Sequence, residues 1–318
     1  MKWQASAPSN IALIKYMGKI ANSGNVSTNP SISYTLDHLR TFIELEKKNG
    51  DDDTWEPLSV KNQQTPKISS DGQRRFLKHL EFLKSTWGYK GSFIVRSHNN
   101  FPSDCGLASS ASSFAALTLG AYLAVKDLKP GLDLTSESLA NLSRQGSGSS
   151  CRSFFTPWSV WDDSGARGVE LPYKNLLHQV VVVNDQIKKV SSSEAHKKIS
   201  SSMLAQGRTD RAVRRLENLM TSIKQQDWQK SYQIIWAEFW DMHALFETSE
   251  PPFGYMSSGS LQALRSAEEL WQRKGDGPWI TMDAGPNVHL LYRQDQKDIA
   301  AQLQKDLSKT FQVISNFE

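Results

Sequence analysis

Hydrophobic and polar positions follow two rhythms along this chain, and the balance between them changes near its middle. In the first half, Ile43 and Leu45 alternate with Glu44 and Glu46, so residues 41–46 read as a half-buried strand. Phe76, Leu80 and Leu83 recur at helical spacing within residues 74–87. Residues 92–96 read as a strand that leads toward a glycine turn. The alanine-rich residues 111–124 have the composition of a buried helix. Residues 180–183 form a β-branched run suited to a buried strand, and Asn184 behind it marks an expected boundary. The second half is richer in helix. Amphipathic periodicity covers residues 210–226, 228–246, 260–274 and 296–308. Strands fit residues 279–282 and 288–292, either side of an Asp-Ala-Gly-Pro-Asn turn. The pattern predicts mixed α and β structure in two domains, residues 1–184 and 185–318, the helix-rich second half fitting an α+β domain.

Between the first strand and the first helix lies a polar stretch, residues 49–64, expected as a loop or hairpin end. Its Asp51-Asp52-Asp53 triplet reads as a solvated turn, because nothing apolar beside it makes a cleft. A chain of 318 residues can bury a large core, and 22% charged against 38% apolar residues marks a folded chain. The net charge of +4 is mild, and the basic pairs Lys188-Lys189, Lys197-Lys198 and Arg214-Arg215 are scattered. That speaks against nucleic acid, which is bound through a dense basic stripe, and suits a small polyanion that needs a few placed cations. The most apolar run, residues 114–125, is too short to span a bilayer, and the opening residues lead into no signal-peptide apolar region. No membrane association is therefore expected. Two cysteines, Cys105 and Cys151, sit in no zinc-type spacing, and the seven histidines form no metal-binding pattern. No side-chain metal site is expected, and a reducing cytoplasm is.

Candidate chemistry gathers at four places. In Phe-Pro-Ser-Asp-Cys-Gly-Leu-Ala-Ser-Ser-Ala-Ser, residues 101–112, a glycine turn feeds two serines into the predicted helix. Unpaired N–H groups and the positive dipole end at a helix start suit a phosphate, and serine hydroxyls add donors. The same residues also fit a serine-capped helix with a small packed face. The segment lacks the Gly-Lys-Ser/Thr ending of a Walker loop. Lys15 and Lys19 follow a strand-like lead-in, with Gly18 between, so both amines can meet one anion or stand on the surface. In residues 146–153, Gly-Ser-Gly-Ser-Ser-Cys-Arg-Ser, the glycines allow an anion-binding nest and Arg152 can clamp a carboxylate or a phosphate with two bonds. A flexible linker is the alternative, disfavoured by the return to packed residues at Phe154-Phe155. Asp283, in a strand-end turn, can bond its own backbone or serve as a base.

Residues 101–112 resemble the phosphate loop of the superfamily of galactokinase, homoserine kinase, mevalonate kinase and phosphomevalonate kinase, roughly Pro-x-x-x-Gly-Leu-x-Ser-Ser. Ser9-Asn10-Ile11-Ala12-Leu13-Ile14-Lys15-Tyr16-Met17-Gly18-Lys19, the 146–153 segment and Met282-Asp283-Ala284-Gly285-Pro286-Asn287 resemble signatures of the diphosphomevalonate decarboxylase family. Met242-His243-Ala244 followed by Pro251-Pro252 is a weaker match. The resemblance implies a GHMP-kinase-like N-terminal domain with a left-handed β-α-β unit, then a ferredoxin-like domain, with the active site in the cleft between them. It implies ATP and Mg²⁺, with Gly106, Leu107, Ala108, Ser109 and Ser110 around the nucleotide phosphates. It implies a substrate, 5-diphosphomevalonate, held by Asn10, Tyr16, Lys19, Ser147, Ser149 and Ser192. Lys15, Arg152 and Asp283 are then the catalytic residues, Asp283 at the tertiary hydroxyl and Arg152 at the carboxylate that leaves. A homodimer is implied as well. His243 reads as a satisfied helix histidine. The family usually has tryptophan where Met17 stands and small residues where Asp104 and Cys105 stand. Those departures leave room for a paralogue acting on mevalonate or its monophosphate, while the intact Lys15, Arg152 and Asp283 argue against one that only binds nucleotide.

Overall fold

The computed structural model describes residues 1–20, 23–60, 68–101, 109–183 and 190–317. The first sheet is organised on a long strand. β1 (Lys2–Ile14) runs antiparallel along one side of β2 (Ser31–Lys48), from Lys2 opposite Glu46 to Ile14 opposite Ile32. The other side of β2 is shared. Then come β3 (Thr54–Pro57), α1 (Ser70–Thr86) and β4 (Ser92–Asn99), with β4 pairing the second half of β2. After α2 (Ser109–Leu128) and α3 (Ser136–Gly146), β5 (Trp158–Asp162) pairs its first half, and β6 (Gly165–Gly168) closes that edge. The predicted strand at residues 41–46 is thus one part of an 18-residue element.

Helix α2 lies on β1 and β2. Its Ala111, Ala115, Ala116, Ala121 and Ala124 are fully buried, and small side chains let the helix sit close on the sheet. That packing places the start of α2 at the cleft. The polar stretch after β2 holds more than a loop. Strand β3 pairs parallel with β4, Trp55 opposite Val95. Asp53 is not solvated: its carboxylate, 7% exposed, takes Lys84 at 2.8 Å and the Phe93 N–H at 2.8 Å. A buried carboxylate with two such partners fixes the entry of β4, whereas Asp51 and Asp52 are exposed.

The second sheet begins with β7 (Leu177–Val182), which lies before the division expected at residue 184. Helices α4 (Ser192–Lys198), α5 (Arg208–Lys224), α6 (Trp228–Glu247) and α7 (Ser258–Lys274) follow. Then come β8 (Trp279–Met282), β9 (Val288–Tyr292), α8 (Lys297–Leu307) and β10 (Gln312–Ser315). The strands are all antiparallel in the order β10-β7-β9-β8, the arrangement of a ferredoxin-like domain. The two units share a core. Ile11, Leu13, Ile32 and Trp158 of the first sheet pack in one cluster with Val180, Phe239, Trp279 and Leu290 of the second unit. This apolar seam brings the end of β1 against α6 and β8, and the site forms there.

Candidate active site

The cleft at this seam encloses about 380 Å³. Lys15, Tyr16, Lys19, Ser109, Ser110, Ser147, Ser149, Arg152, Ser192 and Asp283 all line it. Asn10 does not. It is buried, and its amide donates to the Ser149 carbonyl at 3.2 Å and the Ser153 hydroxyl at 2.8 Å, which braces the serine-rich turn from behind. Gly106, Leu107 and Ala108 lie outside the described residues, as do Asp104, Cys105, Asn184, Lys188 and Lys189.

Strand β1 ends at Ile14, and the next residue is pinned by the other domain. Glu238 of α6 accepts the Lys15 backbone N–H at 3.0 Å, and Arg208 of α5 donates to the Lys15 carbonyl at 3.2 Å. Glu238 and Arg208 form a buried ion pair that Asp241, Arg211 and Arg215 extend. Both backbone groups of Lys15 are therefore satisfied without a strand partner. Its side chain, 2% exposed, reaches Asp283 at 2.8 Å across 268 positions of sequence. His243 Nε2 lies 3.2 Å from the Asp283 carbonyl. Burial, and then Lys15, pushes His243 down to about 3, so it is neutral and can donate to that carbonyl. Burial alone would raise Asp283, but Lys15, then His289 and Arg152, outweigh it and hold the carboxyl below its usual range. Burial lowers the Lys15 ammonium against the pull of Asp283. The carboxylate is still a quarter exposed, at 25%, so it meets the cleft as an anion.

Arg152 sits in a 3-10 turn (Gly148–Phe154) and is 2% exposed. Its Nε donates to Ser33 at 3.1 Å and its Nη1 to Ser31 at 2.8 Å, both hydroxyls of β2. Trp161 lies under the guanidinium at 5.9 Å. Among the described residues no carboxylate is in ion-pair contact with it, so neutral groups aim the cation and leave its charge for a ligand. At the other end of the turn, the Ser147 hydroxyl lies 3.4 Å from those of Ser110 and Ser149. Serines from the start of α2 and from the 146–153 segment therefore meet on one wall.

Tyr16 is the central wall. Its ring lies 4.8 Å from Trp161 and 4.4 Å from His196, and its hydroxyl donates to the Asn25 carbonyl at 3.3 Å. Asn25 Oδ1 accepts from Lys19 Nζ at 2.9 Å. Burial, with Arg75 and Lys197 nearby, pushes Lys19 down to about 8. Met17 packs with Met242, Ala284 and Phe246, so an apolar cluster surrounds the position. Cys151 is a buried free thiol pushed up to about 12 by burial, a packing residue rather than a nucleophile. Ser192 lines the cleft at the start of α4.

Arg75, Asn25, His196, Arg208 and Glu238 carry no motif. A signal existed for Glu238 alone: it falls on the apolar face of α6 with Ile234, Ile235 and Met242, and a charge there needs a buried partner. Among the described residues no group of three His, Cys, Asp or Glu could hold a metal by side chains alone. No helix of the described residues is long and apolar enough to cross a membrane.

Residues 7–170 match the diphosphomevalonate decarboxylase-like N-terminal domain, and residues 179–318 the mevalonate 5-diphosphate decarboxylase C-terminal domain. The structure resembles a mevalonate diphosphate decarboxylase from Legionella pneumophila with a TM-score of 0.93 and 48% identity, covering 99% of this chain and 100% of that one. It resembles MDDEF in complex with MVAPP, AMPPCP and magnesium with a TM-score of 0.86 and 30% identity, over 99% of this chain and 96% of that one. A diphosphomevalonate decarboxylase of Debaryomyces hansenii is 31% identical over 92% of this chain and 80% of its own length.

Proposed function

The chain belongs to the diphosphomevalonate decarboxylase family, and on that premise we propose that it converts 5-diphosphomevalonate and ATP into isopentenyl diphosphate, ADP, phosphate and carbon dioxide. One observation carries the reading. The Lys15–Asp283 pair at 2.8 Å and the hydroxyl-tethered Arg152 line one cleft together with Ser109, Ser110, Ser147 and Ser149. Hydroxide is a poor leaving group, and ATP bound with Mg²⁺ supplies the phosphoryl group that turns the 3-hydroxyl into phosphate. Ser109 and Ser110 at the start of α2 suit the nucleotide phosphates, and Gly106, Leu107 and Ala108, which precede them in sequence, belong to the same proposed role. Mg²⁺ taken up with a nucleotide needs only one or two protein ligands beside the phosphates, so it requires no cluster of three side-chain ligands such as is lacking among the described residues.

Asp283, kept ionised by Lys15, accepts the proton of the 3-hydroxyl as its oxygen is phosphorylated. Arg152 holds the carboxylate in a two-bond fork. When the C3–O bond breaks, the electrons of the bond to the carboxylate form the new double bond, and carbon dioxide and phosphate depart. Positive charge developing at C3 is balanced by the departing phosphate in a cleft whose burial strengthens every field. Lys19, Tyr16, Ser147, Ser149 and Ser192 take the diphosphate end, and Asn10 acts by bracing the serine turn. A cytoplasmic location and a homodimer belong to the same proposal, together with a domain division between Gly168 and Leu177, where one sheet ends and the next begins.

The test is a panel of mevalonate, its 5-phosphate and its 5-diphosphate with ATP, scored for phosphate and carbon dioxide. Carbon dioxide from the 5-diphosphate in preference to the others is expected. Preference for either smaller ester, or ADP without carbon dioxide, would overturn the substrate or the reaction.

A further inference from the structure

We propose that His196 is a ligand of the substrate's diphosphate, a neutral imidazole that donates its Nε2–H into the cleft beside Lys19. The inference deepens the reading above and rests on it for the identity of the natural ligand.

Two contacts fix the ring. His196 Nδ1 accepts the Gly18 backbone N–H at 3.0 Å. A nitrogen that accepts a hydrogen bond carries no proton, so the proton of this imidazole is on Nε2. Gly18 itself is fixed: its φ is +108°, and a Cβ there would collide with the Thr28 hydroxyl. The face of the ring lies 4.4 Å from Tyr16, tilted by 40°. The ring lines the same cavity as Lys19, Ser147 and Ser149, so Nε2–H is the donor it has left to offer there. Protonation would set an N–H against the Gly18 N–H, and burial followed by the charge of Lys19 pushes His196 down to about 3. Lys19 feels two further cations, Arg75 and Lys197, while the carboxylates of Asp71 and Asp283 also line the cavity. The cations supply attraction for a polyanion but little direction. A donor locked by backbone on one edge and by an aromatic ring on its face supplies direction without adding charge. A diphosphate, whose oxygens are strong acceptors on both phosphorus atoms, fits that combination.

Two variants separate donation from packing. His196→Asn keeps an acceptor near the Nδ1 position for Gly18 and removes the cleft donor. His196→Gln keeps a donor near Nε2 and gives up the Gly18 contact. Binding of inorganic diphosphate and of 5-diphosphomevalonate is measured by calorimetry, with ATP KM as a control. A hydrogen bond to a charged group corresponds to about tenfold or more in affinity. His196→Asn should lose that factor for both ligands, His196→Gln should keep most of it, and ATP KM should stay unchanged in both. Normal binding by His196→Asn, or equal losses in the two variants, would overturn the proposal, because the ring would then act only by packing. If the wild type binds inorganic diphosphate through His196 but releases no carbon dioxide, the activity fails and this site stands.

Discussion

Gly148→Ala tests whether the Tyr16 wall is as tightly fixed as its contacts indicate. A Cβ on residue 148 would stand 2.5 Å from both Cε1 and the hydroxyl oxygen of Tyr16, where 3.4–4 Å is ordinary contact. The ring would have to move by about 1 Å to restore normal packing. It has little room to do so, with Trp161 at 4.8 Å, His196 at 4.4 Å and its hydroxyl tied to Asn25 at 3.3 Å. Overpacking of this kind costs about 1–3 kcal/mol. A displacement near 1 Å at a binding wall can cost roughly 10²-fold in rate. Moving Tyr16 also disturbs His196 and, through Asn25, Lys19, so the loss should fall on the diphosphate end. Denaturant unfolding should show a lower midpoint. Steady-state kinetics should show a raised KM for 5-diphosphomevalonate with little change for ATP. Adding Tyr16→Ala should recover part of the lost stability, since the collision goes with the ring; the coupling is read from a double-mutant cycle. Unchanged stability and an unchanged substrate KM in Gly148→Ala would refute the reasoning.

Asp283→Asn should lower kcat by roughly 10²–10⁴-fold with the fold intact by circular dichroism, and a loss below about tenfold would remove its role as base. Lys19, held at about 8, must be charged to attract a diphosphate, so kcat/KM for 5-diphosphomevalonate should be full below pH 8 and fall as pH rises through it. Lys19→Arg should keep that limb flat to higher pH, and an identical fall in both proteins would assign the titration elsewhere. Breaking a buried ion pair costs about 3–5 kcal/mol, and Glu238→Gln should approach the lower end because Asp241 still partners Arg208 and Arg215. Chemical unfolding measures that loss, and kcat should fall with it because Lys15 loses its anchor; normal stability would show that the network does not hold the two domains.

Much of this architecture is present in local pattern. Periodicity alone places β8 and β9 at their observed bounds, and finds α5 to α8 within two residues at each end. The buried face of an element repeats within the element, so the sequence carries it directly. The motif residues Lys15, Arg152 and Asp283 are visible through the resemblance of their segments to one family, since residue type and spacing alone leave Lys15 and Asp283 with ordinary structural readings. What the sequence by itself does not determine is what those residues touch. Strand β3 hides in a mostly polar stretch, and Asp53 within it meets Lys84 of α1; pairing with β4, not hydrophobic alternation, makes the strand. Glu238 and Arg208 hold the backbone of Lys15 from 223 and 193 positions away, and His196 meets Gly18 across 178. Such contacts depend on how two sheets and their helices pack on one apolar seam. Local pattern fixes which side of each element is buried, and only the packed tertiary structure decides which distant groups share the low-dielectric space where charge, tautomer and direction are set.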